Sequence, residues 1–244
     1  MHVMKRFPLA LGAALALAAL APGAASAIEM QIGKTTTPLA APVCPVGVAQ
    51  NQCNIVVPQL TVFDTTSDGV KNPMAITKAG ELVSITIGVS AISSNAATLK
   101  TDVSYLNSTY GGPPEAELAV LRPVGKASKF RWVVAAETPA YQLQPYLGQV
   151  VEFPLATPLP VVPGELIALT VPTWAPVLSY DLTANKFSYR QSRMTNCTKS
   201  GGGSTIQAQL TIGEQSRYGC SYQGTRVQYG AEEITTPFPS TLAK

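Results

Sequence analysis

Between residues 149 and 174 the chain reads QVVEFPLATPLPVVPGELIALTVPTW, and this stretch limits the possible folds more than any other. Two apolar, β-branched runs, residues 149–155 and 165–171, flank Pro158, Pro160 and Pro163, with Gly164 closing the connector. Proline lacks an N–H and has a fixed φ, so the connector cannot be an interior strand of a sheet ladder. Pro163-Gly164 suits a turn that launches the second run. The pattern predicts two core strands joined by a structured corner. Within 165–171, alternation places Leu166, Ala168 and Thr170 on one face and Ile167, Leu169 and Val171 on the other. The second set is bulkier and more apolar, which assigns it to the core and leaves Glu165 at the edge.

Residues 81–90, ELVSITIGVS, alternate Leu82, Ser84, Thr86 and Gly88 against Val83, Ile85, Ile87 and Val89, the mark of a half-buried antiparallel strand. Further β-type runs lie around 54–63, 116–122, 130–136, 178–182, 205–212, 217–222 and 225–229, separated by glycine and proline turn signals. No segment has a convincing amphipathic helical period, and NSTYGGPP at 107–114 reads as a loop. The expectation is an all-β fold of about ten strands, an antiparallel β-sandwich with a jelly-roll-like cadence.

The N-terminus carries Lys5 and Arg6, an apolar run over 7–21, Pro22-Gly23 and the small-residue triplet Ala25-Ser26-Ala27. This is the layout of a secretory signal peptide over residues 1–27, with cleavage after Ala27. The expected organisation is then one β-sandwich domain over 28–236 and a loosely held tail over 237–244. The apolar run is too short for a comfortable transmembrane helix, and no later stretch replaces it, so a secreted or extracytoplasmic protein is expected. Removing Lys5 and Arg6 from the 17 basic residues leaves 15 against 14 acidic ones. So even a balance, without clustered lysine and arginine among aromatics, argues against a nucleic-acid partner. The sole histidine, His2, leaves with the signal peptide. Imidazole-based nucleophile systems, histidine acid–base catalysis and histidine metal sites are therefore excluded for the exported form.

Cys44, Cys53, Cys197 and Cys220 form an even set in an exported chain, which predicts two disulfides. The local pairs Cys44–Cys53 and Cys197–Cys220 are favoured, because each closes a segment rich in turn residues. No Cys-x-x-Cys or histidine partner suggests a metal, and no cofactor is expected. Asp64, Asp68 and Gly69 could line a calcium loop, but Asx-turn chemistry explains the same residues.

The run Ile167-Ala168-Leu169-Thr170-Val171-Pro172-Thr173-Trp174-Ala175-Pro176, with Arg190-Gln191-Ser192-Arg193 and Tyr218-Gly219-Cys220-Ser221-Tyr222, resembles a group of exported bacterial proteins to which no activity is assigned. The resemblance implies secretion and a β-rich fold, and nothing about chemistry. Residues 161–171 are also similar in cadence to jelly-roll and carbohydrate-binding modules, a likeness of fold that does not carry function.

Three functions remain. A non-catalytic binding module for a glycan or cell-surface ligand would use ring-bearing connectors, for which Trp174, Tyr110, Tyr141, Tyr146 and Tyr180 are the candidates. Trp174 leads them, because Pro172 and Pro176 fix the backbone of an expected exposed connector around it. A carboxylate-dependent hydrolase would need an acid pair from Asp102, Glu115, Glu117, Glu137, Glu152 and Asp181. A structural envelope or matrix component would need neither.

Overall fold

The computed structural model describes residues 27–48, 53–125, 131–193, 197 and 207–235. The predicted signal peptide, apart from Ala27, and the predicted tail lie outside the described residues. The strands are β1 (Glu29–Ile32), β2 (Val57–Pro58), β3 (Thr61–Ser67), β4 (Val70–Lys71), β5 (Gly80–Gly88), β6 (Glu115–Pro123), β7 (Arg131–Glu137), β8 (Tyr141–Gln142) and β9 (Val150–Val161). They continue as β10 (Leu166–Thr170), β11 (Trp174–Ala175), β12 (Leu178–Ser179), β13 (Ser188–Gln191), β14 (Gln215–Arg217), β15 (Cys220–Gln223), β16 (Arg226–Val227) and β17 (Tyr229–Thr235). Among the described residues one α-helix, α1 (Ala96–Tyr110), interrupts them.

Two sheets carry the fold, and their named strands pair antiparallel. The smaller has the order β1-β17-β5-β9; the larger follows β14-β7-β6-β10-β3-β13-β15, with β4 on β3 and β8 on β6. This is the all-β, sandwich-like architecture that the cadence predicts. Ile85 and Ile87 of the smaller sheet share one buried apolar cluster with Leu118, Val120, Ile167 and Leu169 of the larger. The Tyr229 hydroxyl of β17 donates to the Ile167 carbonyl of β10 at 3.1 Å, tying sheet to sheet.

The larger sheet is curled into a half-barrel. Its end strands β14 and β15 are separated in sequence by Tyr218 and Gly219 alone, so the path must bend until its ends come together. The concave side is filled by Phe63, whose ring meets Trp132 at 5.7 Å and Tyr218 at 5.0 Å. A polar network runs beside the rings: Tyr218 donates to Gln209 Oε1, Gln209 N to Thr61 Oγ1 at 2.9 Å, and Thr61 and Thr170 share a hydroxyl contact of 3.0 Å, while the buried Trp132 indole N–H has no partner among the described residues.

That lining corrects the expectation for β10. Ile167, Leu169 and Val171 are buried as predicted, but Leu166, Ala168 and Thr170 are buried too, because the curled sheet covers its own second face. Strict alternation also misplaces Leu82. A bulge between Leu82 and Ser84 lets Leu82, Ile85 and Ile87 all reach the interior, leaving Val83 half-buried.

The proline corner is corrected as well. Pro154, Pro158 and Pro160 lie inside β9, which runs unbroken to Val161 as the edge strand of the smaller sheet. An edge position needs no second ladder of N–H donors, which is why prolines fit. The turn at Pro163-Gly164 exists and carries the chain from one sheet to the other, with Gly164 at φ 93°. Glu165 pins it from a buried position, accepting from Val162 N at 2.9 Å and from Arg122 Nη2 at 2.7 Å.

Both predicted disulfides are present, with Cα–Cα separations of 5.5 Å for Cys44–Cys53 and 5.3 Å for Cys197–Cys220. Contrary to the reading that no segment is helical, Ala96–Tyr110 forms α1, which takes in residues 107–110 of the expected loop. Asn95 caps it by accepting from Ala97 N and Thr98 N, both at 3.0 Å, and Gly111 ends it in the left-handed region at φ 84°. None of its side chains is fully buried, so it has no strong apolar stripe to betray it in the sequence. No helix of the described residues is long and apolar enough to cross a membrane.

Candidate ligand-binding site

Two of the five ring candidates come together, and both meet a residue assigned by sequence to a core run. Tyr141 on β8 stacks on Phe153 of β9, with centroids 4.7 Å apart and planes at 27°. Tyr146, on the 3-10 turn Gln144–Tyr146, meets the same Phe153 edge-on at 5.2 Å and 89°. β8 belongs to the larger sheet and β9 is the free edge of the smaller, so the three rings bridge the sheets. All three are half-buried. Tyr141 and Phe153 lean on the core cluster, whereas Tyr146 is not part of it.

The turn that carries Tyr146 also forms one wall of an open groove of about 850 Å³, with α1 as the other wall. Leu99, Val103, Pro145 and Leu147 supply an apolar strip, and Asn107 and Gln144 supply amides. Apolar surface with a few placed polar groups is the usual make-up of a small-ligand site. Phe153 could have been suspected from sequence, because a large ring beside Pro154 fits an edge strand better than a core one.

Trp174 is not in an exposed connector. It is 0 % exposed, and its indole N–H donates to Asn107 Oδ1 and to the Gly112 carbonyl, both at 3.0 Å. Its role is to fasten the C-terminal end of α1 to β11. Tyr110 ends that helix, and Tyr180 follows β12 with its hydroxyl buried and without a hydrogen-bond partner among the described residues. Among the described residues neither makes a ring contact with the Tyr141 group.

The candidate acids divide in the same way. Asp102 lies on α1, Glu152 on β9 and Asp181 in the connector after β12. Glu115, Glu117 and Glu137 share a face of the larger sheet, since Glu137 sits opposite Ala119, two residues along from Glu117. Burial pushes the Glu117 carboxyl up to about 7, helped by the charges of Glu137 and Glu115. Glu137 is also raised, by burial first and by the Glu214 charge, against a lowering hydrogen bond from the Ile212 backbone. A carboxyl poised near neutrality can act as a general acid. These acids, however, do not line the groove.

Asp64 and Asp68 do not converge on a calcium loop. Asp64 is buried and accepts from Val227 N at 3.0 Å, whereas Asp68, on the β3–β4 turn, accepts from Thr37 N and Thr37 Oγ1, both at 2.7 Å. Among the described residues no group of three or more histidine, cysteine or acidic side chains is placed to hold a metal ion. No protein-family model matches the chain, and no curated protein or solved structure matches it.

Proposed function

We propose that this protein is an exported, non-catalytic binding module that holds a carbohydrate against the Tyr141, Phe153 and Tyr146 rings. The observation that carries the reading is the convergence of three half-exposed rings at the seam between the sheets, beside a groove with apolar and amide walls. Aromatic side chains with one face packed and the other open offer a large contact area at little entropic cost. The two disulfides support an oxidising, extracytoplasmic setting.

The test is a glycan array probed with the protein from Ile28 onward, followed by titration of the best ligand. Tyr146→Ala is expected to weaken that ligand at least ten-fold, about 1.4 kcal/mol, while the unfolding midpoint hardly moves. Tyr141→Ala is expected to lose both affinity and stability, because this ring also packs on the core. Wild-type protein that captures no glycan, or a Tyr146→Ala protein that binds as wild type does, would overturn the assignment.

A further inference from the structure

The groove beside the rings is walled by apolar side chains of α1 that do not join the core. Leu99 and Val103, one turn apart on the helix, line the groove, yet neither belongs to the apolar cluster between the sheets. Pro145 and Leu147 form the other apolar wall, and Leu147 leans on that cluster. Separate anchors position the two walls. α1 is fastened at its C-terminal end, where the Trp174 indole donates to Asn107 Oδ1 and Gln59 Nε2 donates to the Tyr110 carbonyl at 3.4 Å. The opposite wall is tied down by Leu143 N, which donates to the Pro114 carbonyl at 2.8 Å, and by Gly148 N, which donates to the Val89 carbonyl at 2.9 Å. Between the walls lies the gap of about 850 Å³.

Apolar walls kept apart in water forgo the gain of burial, and an aliphatic chain laid between them would recover it. A sugar ring does not fit this strip. Its hydroxyl groups need hydrogen-bond partners, which Leu99, Val103, Pro145 and Leu147 do not supply. From Ala96 to Asn107 the helical wall runs about 16 Å at 1.5 Å per residue, roughly the reach of an extended chain of a dozen atoms. Among the described residues that line the groove, Lys100 alone is charged, and a lysine lays its methylene stem along apolar surface while its ammonium stays in water. Tyr146 stands in the chain between Pro145 and Leu147, which puts the rings and the groove on one turn.

We propose that the groove takes the aliphatic chain of an amphiphilic ligand, so that the carbohydrate held at Tyr141, Phe153 and Tyr146 is an acylated one. The head of this ligand rests on the carbohydrate reading; the tail does not.

The test is titration of the isotopically labelled protein with butyl, hexyl and octyl glucoside below their micelle concentrations, and with sodium octanoate as a chain without a sugar, followed by amide NMR shifts. Affinity should rise about two-fold per added methylene, half the logarithmic gain of a fully buried one, and so about sixteen-fold from butyl to octyl. The shifts that grow with chain length should fall at residues 99–104 and 144–147. Val103→Gln and Leu99→Gln, neither at a buried position, should each cut that rise to below about four-fold. Equal affinities along the series, or a rise that both variants leave untouched, would overturn the tail site while the carbohydrate reading stands. If octanoate moves the groove amides as strongly as octyl glucoside, and Tyr146→Ala weakens neither, the tail site stands and the carbohydrate reading falls. No saturable shift with octyl glucoside or octanoate would overturn the proposal. So would a protein that sediments as a dimer and becomes a monomer in Val103→Gln, because a second copy would then cover the groove.

Discussion

Trp174→Ala is expected to lower the unfolding free energy by about 3–5 kcal/mol, at least as much as Leu169→Ala, for which about 2–5 kcal/mol is expected. Both side chains are 0 % exposed, so each truncation leaves a cavity. The tryptophan carries an added penalty. Its N–H joins Asn107 Oδ1 and the Gly112 carbonyl, and its removal strips the end of α1 of its fastening to the sheet. A companion change, Trp174→Phe, keeps much of the ring volume but leaves both acceptors without their donor, at a cost of about 1–3 kcal/mol. Equilibrium urea denaturation of the three variants, with helical circular dichroism followed in parallel, measures these effects. A Trp174→Ala loss smaller than that of Leu169→Ala would contradict the buried placement.

The second large effect is a dependence on pH. Asp64 is 1 % exposed, its Oδ2 has no hydrogen-bond partner among the described residues, and burial raises it from 3.8 to about 8 despite the lowering influence of Val227 N–H and Arg226. The folded protein therefore holds a proton that the unfolded chain releases above about pH 4. A raised folded value gives stability that is complete below the unfolded value and is lost as pH rises through the folded one. Each pH unit in that window removes about 1.4 kcal/mol, which makes roughly 5 kcal/mol between pH 4 and pH 8. Asp64→Asn keeps an acceptor for Val227 and has no proton to lose. Its stability should match wild type near pH 4 and exceed it increasingly toward pH 8. Parallel stability profiles for the two proteins would show that Asp64 is not the buried acid described.

What the sequence disclosed, and what it hid, follows from the range over which each signal acts. The two disulfides and the β-strand cadence are local, and both were readable. Placing β9 at an edge required knowing its neighbours, so its prolines looked like a corner when they lie within a strand. Leu82 needed knowledge of the bulge, which a period of two does not contain. Asn95 and Gly111 cap α1, but a helix with no buried side chain gives no periodic signal between its caps. Trp174 was misplaced for the same reason: prolines fix its backbone, yet only the helix that covers it determines whether the ring is open. Tyr141 and Tyr146 were two of five separate ring candidates, and nothing local in the sequence told that they share a partner, because Phe153, which joins them, lies in a run read as a core strand.

The link of two residues between β14 and β15 also bears on how the molecule behaves among copies of itself. The two edge strands of the larger sheet, β14 and β15, do not pair with each other, but the short link leaves edges of only three and four residues, and edges so short are poor templates for strand-by-strand growth into fibres. The smaller sheet, which stays open, meets the same hazard with the three prolines of β9, where missing N–H groups deny an incoming strand its donors.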